Sequence, residues 1–443
     1  MSKKIAVIGS GIAGLSCAWL LSKRHQVCLY EKDDRLGGHS NTVEAVSRLG
    51  HIPVDTGFIV YNERNYPNLT ALFDHLGVST QTCTMSFSVS NECFEYAGGE
   101  GLQGLFSQAA NVLKPKFWQM LSDTISFYRK MNVENLEIDK DISLGELLSE
   151  MKMSDAFCRH HLLPMGAAIW STPMDKMLDY PAASFIEFCQ NHGLLQLYNR
   201  PQWHSVCGGS REYVKKLVAD FQGEALCNRA VKSVRRIASK VLIEDWQGKK
   251  EHYDEVVFAC HPDQSLKLLD DIRTDEKELL DCFEYQRNRA ILHSDENLMP
   301  KNKSAWAAWN YLSDGNSDVS VSYWMNKLQH LKCEEPMIVS LNPLRMPQES
   351  KIHASFLYDH PLFNQRTKQA QKSLWNIQGS HNTWFCGAWC GHGFHEDGLQ
   401  SGLLVAEAIS HVKRPWLTDD DKWNSRIPLS RSFDRWIKRN EAA

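Results

Sequence analysis

Gly9-Ser10-Gly11-Ile12-Ala13-Gly14 is a G-x-G-x-x-G run, and it sits where such a run can bind a pyrophosphate. Lys4-Ile5-Ala6-Val7-Ile8 before it is short, apolar and rich in β-branched residues, so it predicts a buried parallel strand. Leu15 to Lys23 after it carries a helical pattern, and Val27-Cys28-Leu29-Tyr30 predicts a second strand. Each glycine then has its own task. Gly9 makes the tight turn, Gly11 lets the backbone approach the phosphates, and Gly14 lets the helix pack on the strand. The helix N-terminus offers free N–H groups to the anion. Glu31 closes the second strand 17 residues after Gly14, the place of a carboxylate that binds a ribose diol and repels a 2′-phosphate.

Arg35-Leu36-Gly37-Gly38-His39-Ser40 follows at once. A second glycine pair with an arginine before it resembles the extended fingerprint of FAD enzymes in the amine oxidase and phytoene desaturase superfamily. The resemblance implies that Gly37 and Gly38 bring more backbone to the pyrophosphate and that Arg35 supplies positive charge. Three later segments match that superfamily in order. Val206-Cys207-Gly208-Gly209-Ser210 precedes an amphipathic helix, Ala230 to Val234 is a strand in which Val231 would meet the adenine edge, and Asp254 to Cys260 is a strand returning to the nucleotide domain. Last come Thr383 to Trp389, with the turn at Gly387, and Gly393-Phe394-His395-Glu396-Asp397-Gly398-Leu399 leading into an apolar helix. Family members set the start of that helix, here Asp397, Gly398 and Leu399, against the flavin's pyrimidine end, where its dipole stabilises negative charge. Ala388 stands where many relatives carry an acid on the ribityl chain, so that contact is not carried over.

A narrower resemblance covers nearly the whole chain. Leu163 to Ser171, Ala305 to Tyr311 and Gly393 to Leu399 are similar to the branch labelled only "NAD/FAD-binding protein" within the flavin-containing amine oxidase superfamily. Its members are often encoded beside enzymes resembling cyclopropane-fatty-acid synthases, which implies acyl-chain chemistry. The expected cofactor is FAD, held non-covalently: Cys386 and Cys390 flank the flavin region but match no motif of the cysteine-linked members. The expected catalytic residues are Glu396 as base and His395 as proton carrier, with Asp397 as a helix cap. Trp170, Trp306, Trp309 and Trp324 are candidates to line an apolar channel, while His293 is expected to be structural.

These residues need a scaffold that brings distant segments together. The expected fold is α/β. A Rossmann-like FAD-binding domain of the amine oxidase type is built from 1–75, 205–265 and 376–412. A substrate domain with a mixed sheet and a helical cap is built from 76–204 and 266–375. The 443 residues give ample core, and 43% hydrophobic with 23% charged residues is ordinary for a soluble globular chain. The net charge of −4 argues against a general nucleic-acid binder. Thirteen cysteines without C-x-x-C pairs give no zinc spacing and fit a cytoplasmic protein with reduced thiols. No metal site is expected.

The function expected from this is an FAD-dependent oxidoreductase that takes hydride from an apolar, fatty-acyl substrate by desaturation or O2-linked oxidation. The alternatives are an amine oxidase acting on a C–N bond and a flavin-dependent isomerase without net redox change. Residues 413–443 form a C-terminal tail. In it Leu429, Phe433, Trp436 and Ile437 share one helical face surrounded by Arg431, Arg435, Lys438 and Arg439, which is the pattern of a peripheral contact with an anionic membrane.

Overall fold

The apolar run Lys4–Ile8 is the central strand of a five-stranded parallel sheet. Its order is Thr383–Phe385, Glu255–Phe258, Lys4–Ile8, Gln26–Tyr30 and Glu224–Leu226. All but the edge strand Glu224–Leu226 are almost wholly buried, because helices cover the sheet and no polar alternation is needed. The computed structural model describes residues 2–133, 138–139, 141–197, 199–314 and 320–418. The amphipathic face at 429–437 lies outside the described residues.

The Ile12–Ser22 and His395–Ser410 helices pack on each other more closely than side chains normally allow. A Cβ on Gly402 would sit 2.2 Å from the Ala13 carbonyl oxygen and 2.6 Å from Ser16 Oγ. One turn earlier, a Cβ on Gly398 would meet Ile12 Cγ2 at 2.8 Å. The first and last helices are therefore fastened by glycine, and their N-termini lie side by side. A three-stranded antiparallel sheet, Val231–Ile237, Lys240–Asp245 and Lys250–Tyr253, completes this unit.

The second unit is a seven-stranded mixed sheet under a helical cap. Only the pair Trp309–Leu312 and Phe87–Ser90 is parallel. The cap contains the Pro115–Met131, Leu144–Glu150, Leu163–Trp170 and Ala182–Asn191 helices, the first opening on its proline as expected. Ala45, Val54 and Val60 join this second core, although they come from the stretch assigned above to the nucleotide domain. Between the units, the buried Asp55 carboxylate accepts hydrogen bonds from Ser210 N (2.9 Å), Thr42 Oγ1 (2.6 Å) and Gln329 Nε2 (2.9 Å). Burial pushes its carboxyl up to about 6.

Three of the four candidate tryptophans lie away from the first unit. Trp306 and Trp324 form a small cluster of their own around Ile338, and Trp309 packs edge-on against Tyr323. His293 is structural, buried with Nε2 2.8 Å from Ser340 Oγ.

Gly402→Ala should force the first and last helices apart. We expect a loss of about 1–3 kcal/mol, the usual penalty for an extra methyl in a filled core. Denaturant unfolding of the variant measures it, and an unchanged midpoint would show that the two helices are not locked here.

Candidate flavin site

Three glycines of the first turn are used in three different ways. Gly9 has φ +102°, open to glycine but costly for other residues, and its N–H donates to Tyr30 O at 2.9 Å. A Cβ on Gly14 would fall 1.9 Å from Gly9 O. A Cβ on Gly11 would meet nothing within 4 Å. Gly11 therefore faces open space at the head of a helix, as a backbone that must approach a phosphate does.

The second glycine pair closes onto the first. Gly37 N–H donates to Ser10 O at 3.0 Å, and a Cβ on Gly38 would come within 3.0 Å of Gly11 Cα. Arg35 acts differently from the expectation. Its guanidinium donates to Gly38 O at 2.8 Å and to Ser40 O at 3.5 Å, so its charge is turned onto the chain's own carbonyls and fixes the turn. Glu31 is buried beside the cradle. It accepts from Ser10 N (3.0 Å), Ser10 Oγ (2.5 Å) and Asp33 N (3.0 Å), leaving part of a carboxylate's four-fold acceptor capacity. Arg229 N–H donates to Glu31 O at 2.8 Å, which brings the buried Val231 strand to the same edge.

The distant half joins at the last helix. This helix begins at His395, earlier than the sequence pattern implied, with Phe394 as its N-cap residue. Asp397 is the third helical residue. Its carboxylate reaches back to Phe394 N–H at 2.8 Å, so it caps from inside the first turn. Gly398 N–H already donates to Phe394 O at 3.1 Å, which corrects the expectation that it points at a ligand. Gly398 is there for close packing on Ile12, and Leu399 is wholly buried in the core. Gly387 is tied to the same helix, its N–H donating to Ser401 Oγ at 3.0 Å.

Glu396 is not a free base. One oxygen accepts from Asn68 N (3.0 Å), Asn68 Nδ2 (2.9 Å) and Gln400 Nε2 (3.0 Å), and the other from Leu69 N (2.9 Å). Four donors fill a carboxylate. Burial pushes its carboxyl up, with those donors opposing. Its work is to pin the Pro67–Leu76 helix, whose first-turn N–H groups it takes, to the last helix.

His395 is better placed. Its ring stacks on Phe58 at 3.8 Å, and Nε2 lies 2.7 Å from Tyr213 Oη and 3.3 Å from Ser40 Oγ. Burial pushes its pKa down to about 3, so the imidazole is neutral. Sequence reading missed His39, next to Gly38. Its Nε2 is buried without a hydrogen-bond partner among the described residues, and its ring lies 4.9 Å from Tyr358 and 5.5 Å from His360. A neutral histidine directly after a glycine pair was the only available signal. Trp170 lies near the last helix. It packs on Phe188 (4.7 Å), which stacks on Phe394 (4.8 Å), and this aromatic wall borders a small cavity with Tyr66 and His192. Cys386 and Cys390 are wholly buried; a hydrogen bond with Cys17, then burial, pushes the Cys386 thiol up, and burial does the same to Cys390, which keeps both unreactive. Among the described residues no group of three or more metal-ligating side chains comes together.

Residues 7–76 match the family model described as NAD(P)-binding Rossmann-like domain. No curated protein matches the chain. Among solved structures, a CLA-producing fatty acid isomerase from P. acnes is similar, with TM-score 0.65 at 14% identity over 92% of this chain and 98% of that one. A cyclohexylamine oxidase from Brevibacterium oxydans IH-35A gives 0.63 at 14% identity, over 93% and 99%. A putrescine oxidase bound to putrescine gives 0.64 at 12%, over 92% and 99%. The chain thus shares its two-unit α/β fold with these solved structures.

Two outcomes follow. Gly11→Ala should leave the unfolding midpoint of the ligand-free chain unchanged yet abolish dinucleotide binding, since its methyl meets only the open space. Retained binding in a titration would place the ligand elsewhere. The second concerns acid. His161, His293 and His360 are held down to about 4, and His395 to about 3, all mainly by burial. The unfolded chain therefore takes up protons that the folded one refuses. Stability should be full above pH 6.5 and fall steadily towards pH 4, by roughly 1.4 kcal/mol per proton and pH unit. A midpoint that stays flat from pH 7 to pH 4.5 would contradict the buried neutral imidazoles.

Proposed function

We propose that this chain is an FAD-dependent oxidoreductase that holds FAD non-covalently and acts on an apolar, fatty-acyl substrate. The observation that carries the cofactor is the contact of two glycine turns, Gly11 and Gly38, below open space where two helix N-termini converge. Backbone N–H groups and aligned dipoles there suit a pyrophosphate, and Glu31 at the strand end suits a ribose. The orphaned Nε2 of His39 supplies a further polar group for a ligand. FAD would contribute hydride or electron acceptance at N5, followed by reoxidation by O2 or another acceptor.

The chain's own residues orient and shield. Glu396 and Asn68 hold the start of the last helix in place. Phe188 and Phe394, with Trp170 packed behind them, form the apolar part of a small cavity otherwise lined by polar residues, and that part is assigned to an acyl chain. The fatty acid isomerase among the similar structures supports the same substrate class. His395 Nε2, Tyr213 Oη and Ser40 Oγ form a closed triangle of neutral groups within which a proton can be exchanged. No helix among the described residues is long and apolar enough to cross a membrane.

Anaerobic mixing of the yellow protein with separate lipid and amine panels tests this. Bleaching of the 450 nm-region band by fatty acyl compounds supports the reading. Bleaching by amines alone would make the chain an amine oxidase, and acyl turnover without net bleaching would make it an isomerase.

A further inference from the structure

Burial keeps several histidines neutral, and they fall into two kinds. His161 and His293 use both ring nitrogens. His161 lies between Tyr96 Oη (3.0 Å) and Tyr128 Oη (2.9 Å), and His293 between Ser340 Oγ (2.8 Å) and Asp295 N–H (3.0 Å). Such rings are tied into the fold. His39 and His360 are not. His39 Nε2 has no hydrogen-bond partner among the described residues, and the one bond that the His360 ring makes among them is through Nδ1. The two rings come from different units and lie 5.5 Å apart.

They meet at the edge of the glycine cradle. His39 directly follows Gly38, whose Cβ would come within 3.0 Å of Gly11 Cα. His360 stands near the end of the Ile352–Leu362 strand. Just beyond it Pro361 and Phe363 flank Gly393, where a Cβ would meet them at 3.3 and 3.0 Å. Gly393 lies two residues before the His395 start of the last helix. His360 is therefore set between the turn that suits a pyrophosphate and the helix end that faces a flavin.

A chain of amides places the proton on His360. Arg289 N–H donates to Asn342 Oδ1 at 2.8 Å, so the other arm of Asn342 is its NH2 group. That group donates to Asn288 Oδ1 at 2.7 Å. Asn288 Nδ2 is then the donor to Gln286 O (3.2 Å) and to His360 Nδ1 (3.1 Å). A ring nitrogen that accepts carries no proton. Burial holds the His360 pKa down to about 4, so the ring is neutral and its single proton sits on Nε2. Asn288 is wholly buried, which keeps water from taking its place.

We propose, on the reading that FAD occupies the cradle, that His360 donates from Nε2 to the acceptor edge of the bound flavin and that Asn288 and Asn342 position its proton. The carbonyl oxygens and ring nitrogens of an isoalloxazine are acceptors of the kind a single neutral N–H suits, while the pyrophosphate already has backbone N–H groups. A hydrogen bond of this kind strengthens as the acceptor gains negative charge, so it favours the reduced flavin.

Equilibrium reduction of the holoprotein against a reference dye tests this through the flavin midpoint potential. His360→Phe keeps a planar ring and removes the donor. At a fixed potential its reduced-to-oxidised ratio should fall at least tenfold, about 30 mV for a two-electron couple, at full flavin content. His360→Gln, whose amide can present an N–H in that place, should recover most of the loss. In nitrogen NMR of histidine-labelled protein, the ring signal that both variants lack should carry its proton on Nε2. An unchanged potential in His360→Phe, no recovery in His360→Gln, or a proton on Nδ1 would each overturn the proposal and leave FAD in place. Wild-type protein that binds no flavin would overturn the cofactor reading and this donor with it.

Discussion

The approach of Gly38 to Gly11, close enough that a single Cβ would collide, is the constraint on which the rest depends. The two turns, separated by a helix and a buried strand, meet this closely because Gly38 carries no side chain, while the Gly11 Cβ direction faces open space. Gly14 against Gly9, Gly402 against Ala13 and Gly398 against Ile12 extend the same principle from the turn to the helices. The result is a region where backbone replaces side chain as the lining and two helix N-termini point the same way. Such a lining is selective for an anion by dipole alone, and it stays in place because no rotamer has to be ordered.

Around that backbone site, the polar side chains mainly hold the chain together. Glu396 joins the last helix to the Pro67–Leu76 helix. Asn68 passes the connection on, its Oδ1 accepting from Arg414 Nη1 (2.8 Å) and Trp416 Nε1 (3.1 Å). Trp416 stacks on Trp19 of the first helix, 5.9 Å between centroids. Thus the segment after the last helix is fastened back onto the first. A buried carboxylate held by four donors is a positioning device, since removing one donor leaves the buried charge less well solvated. His395 is held by Phe58, Tyr213 and Ser40, whereas His39 Nε2 has no hydrogen-bond partner among the described residues.

The nucleotide half was legible because its requirements are local. Strand, glycines, helix, strand and acid follow one another within 31 residues, and each is a backbone or charge demand visible in residue type. The mixed sheet with its helical cap was likewise readable from alternating and apolar runs, whereas the order of the parallel sheet was not. The first turn of the last helix was not. Its pattern is set by Phe394, His395 and Glu396, whose partners Phe188, Phe58, Tyr213 and Asn68 lie between 182 and 337 residues away, so no window along the chain contains the signal. The same distance hid Glu396's occupation and left Gly398 looking like a ligand contact. Of the tryptophans, only tertiary packing distinguishes Trp170 at the site from Trp306 and Trp324 in a cluster of their own.

Comparing ligands on the deflavinated protein tests the central claim most directly. Isothermal titration with FAD, FMN and NAD+ reads which parts of the dinucleotide the backbone cradle recognises. If the Gly11–Gly38 turns hold a pyrophosphate and the His395 start of the last helix faces a flavin, FAD should bind at least a hundredfold more tightly than either of the others. FMN lacks the adenosine half and its second phosphate, and NAD+ lacks the flavin. FMN or NAD+ binding as tightly as FAD would contradict the account.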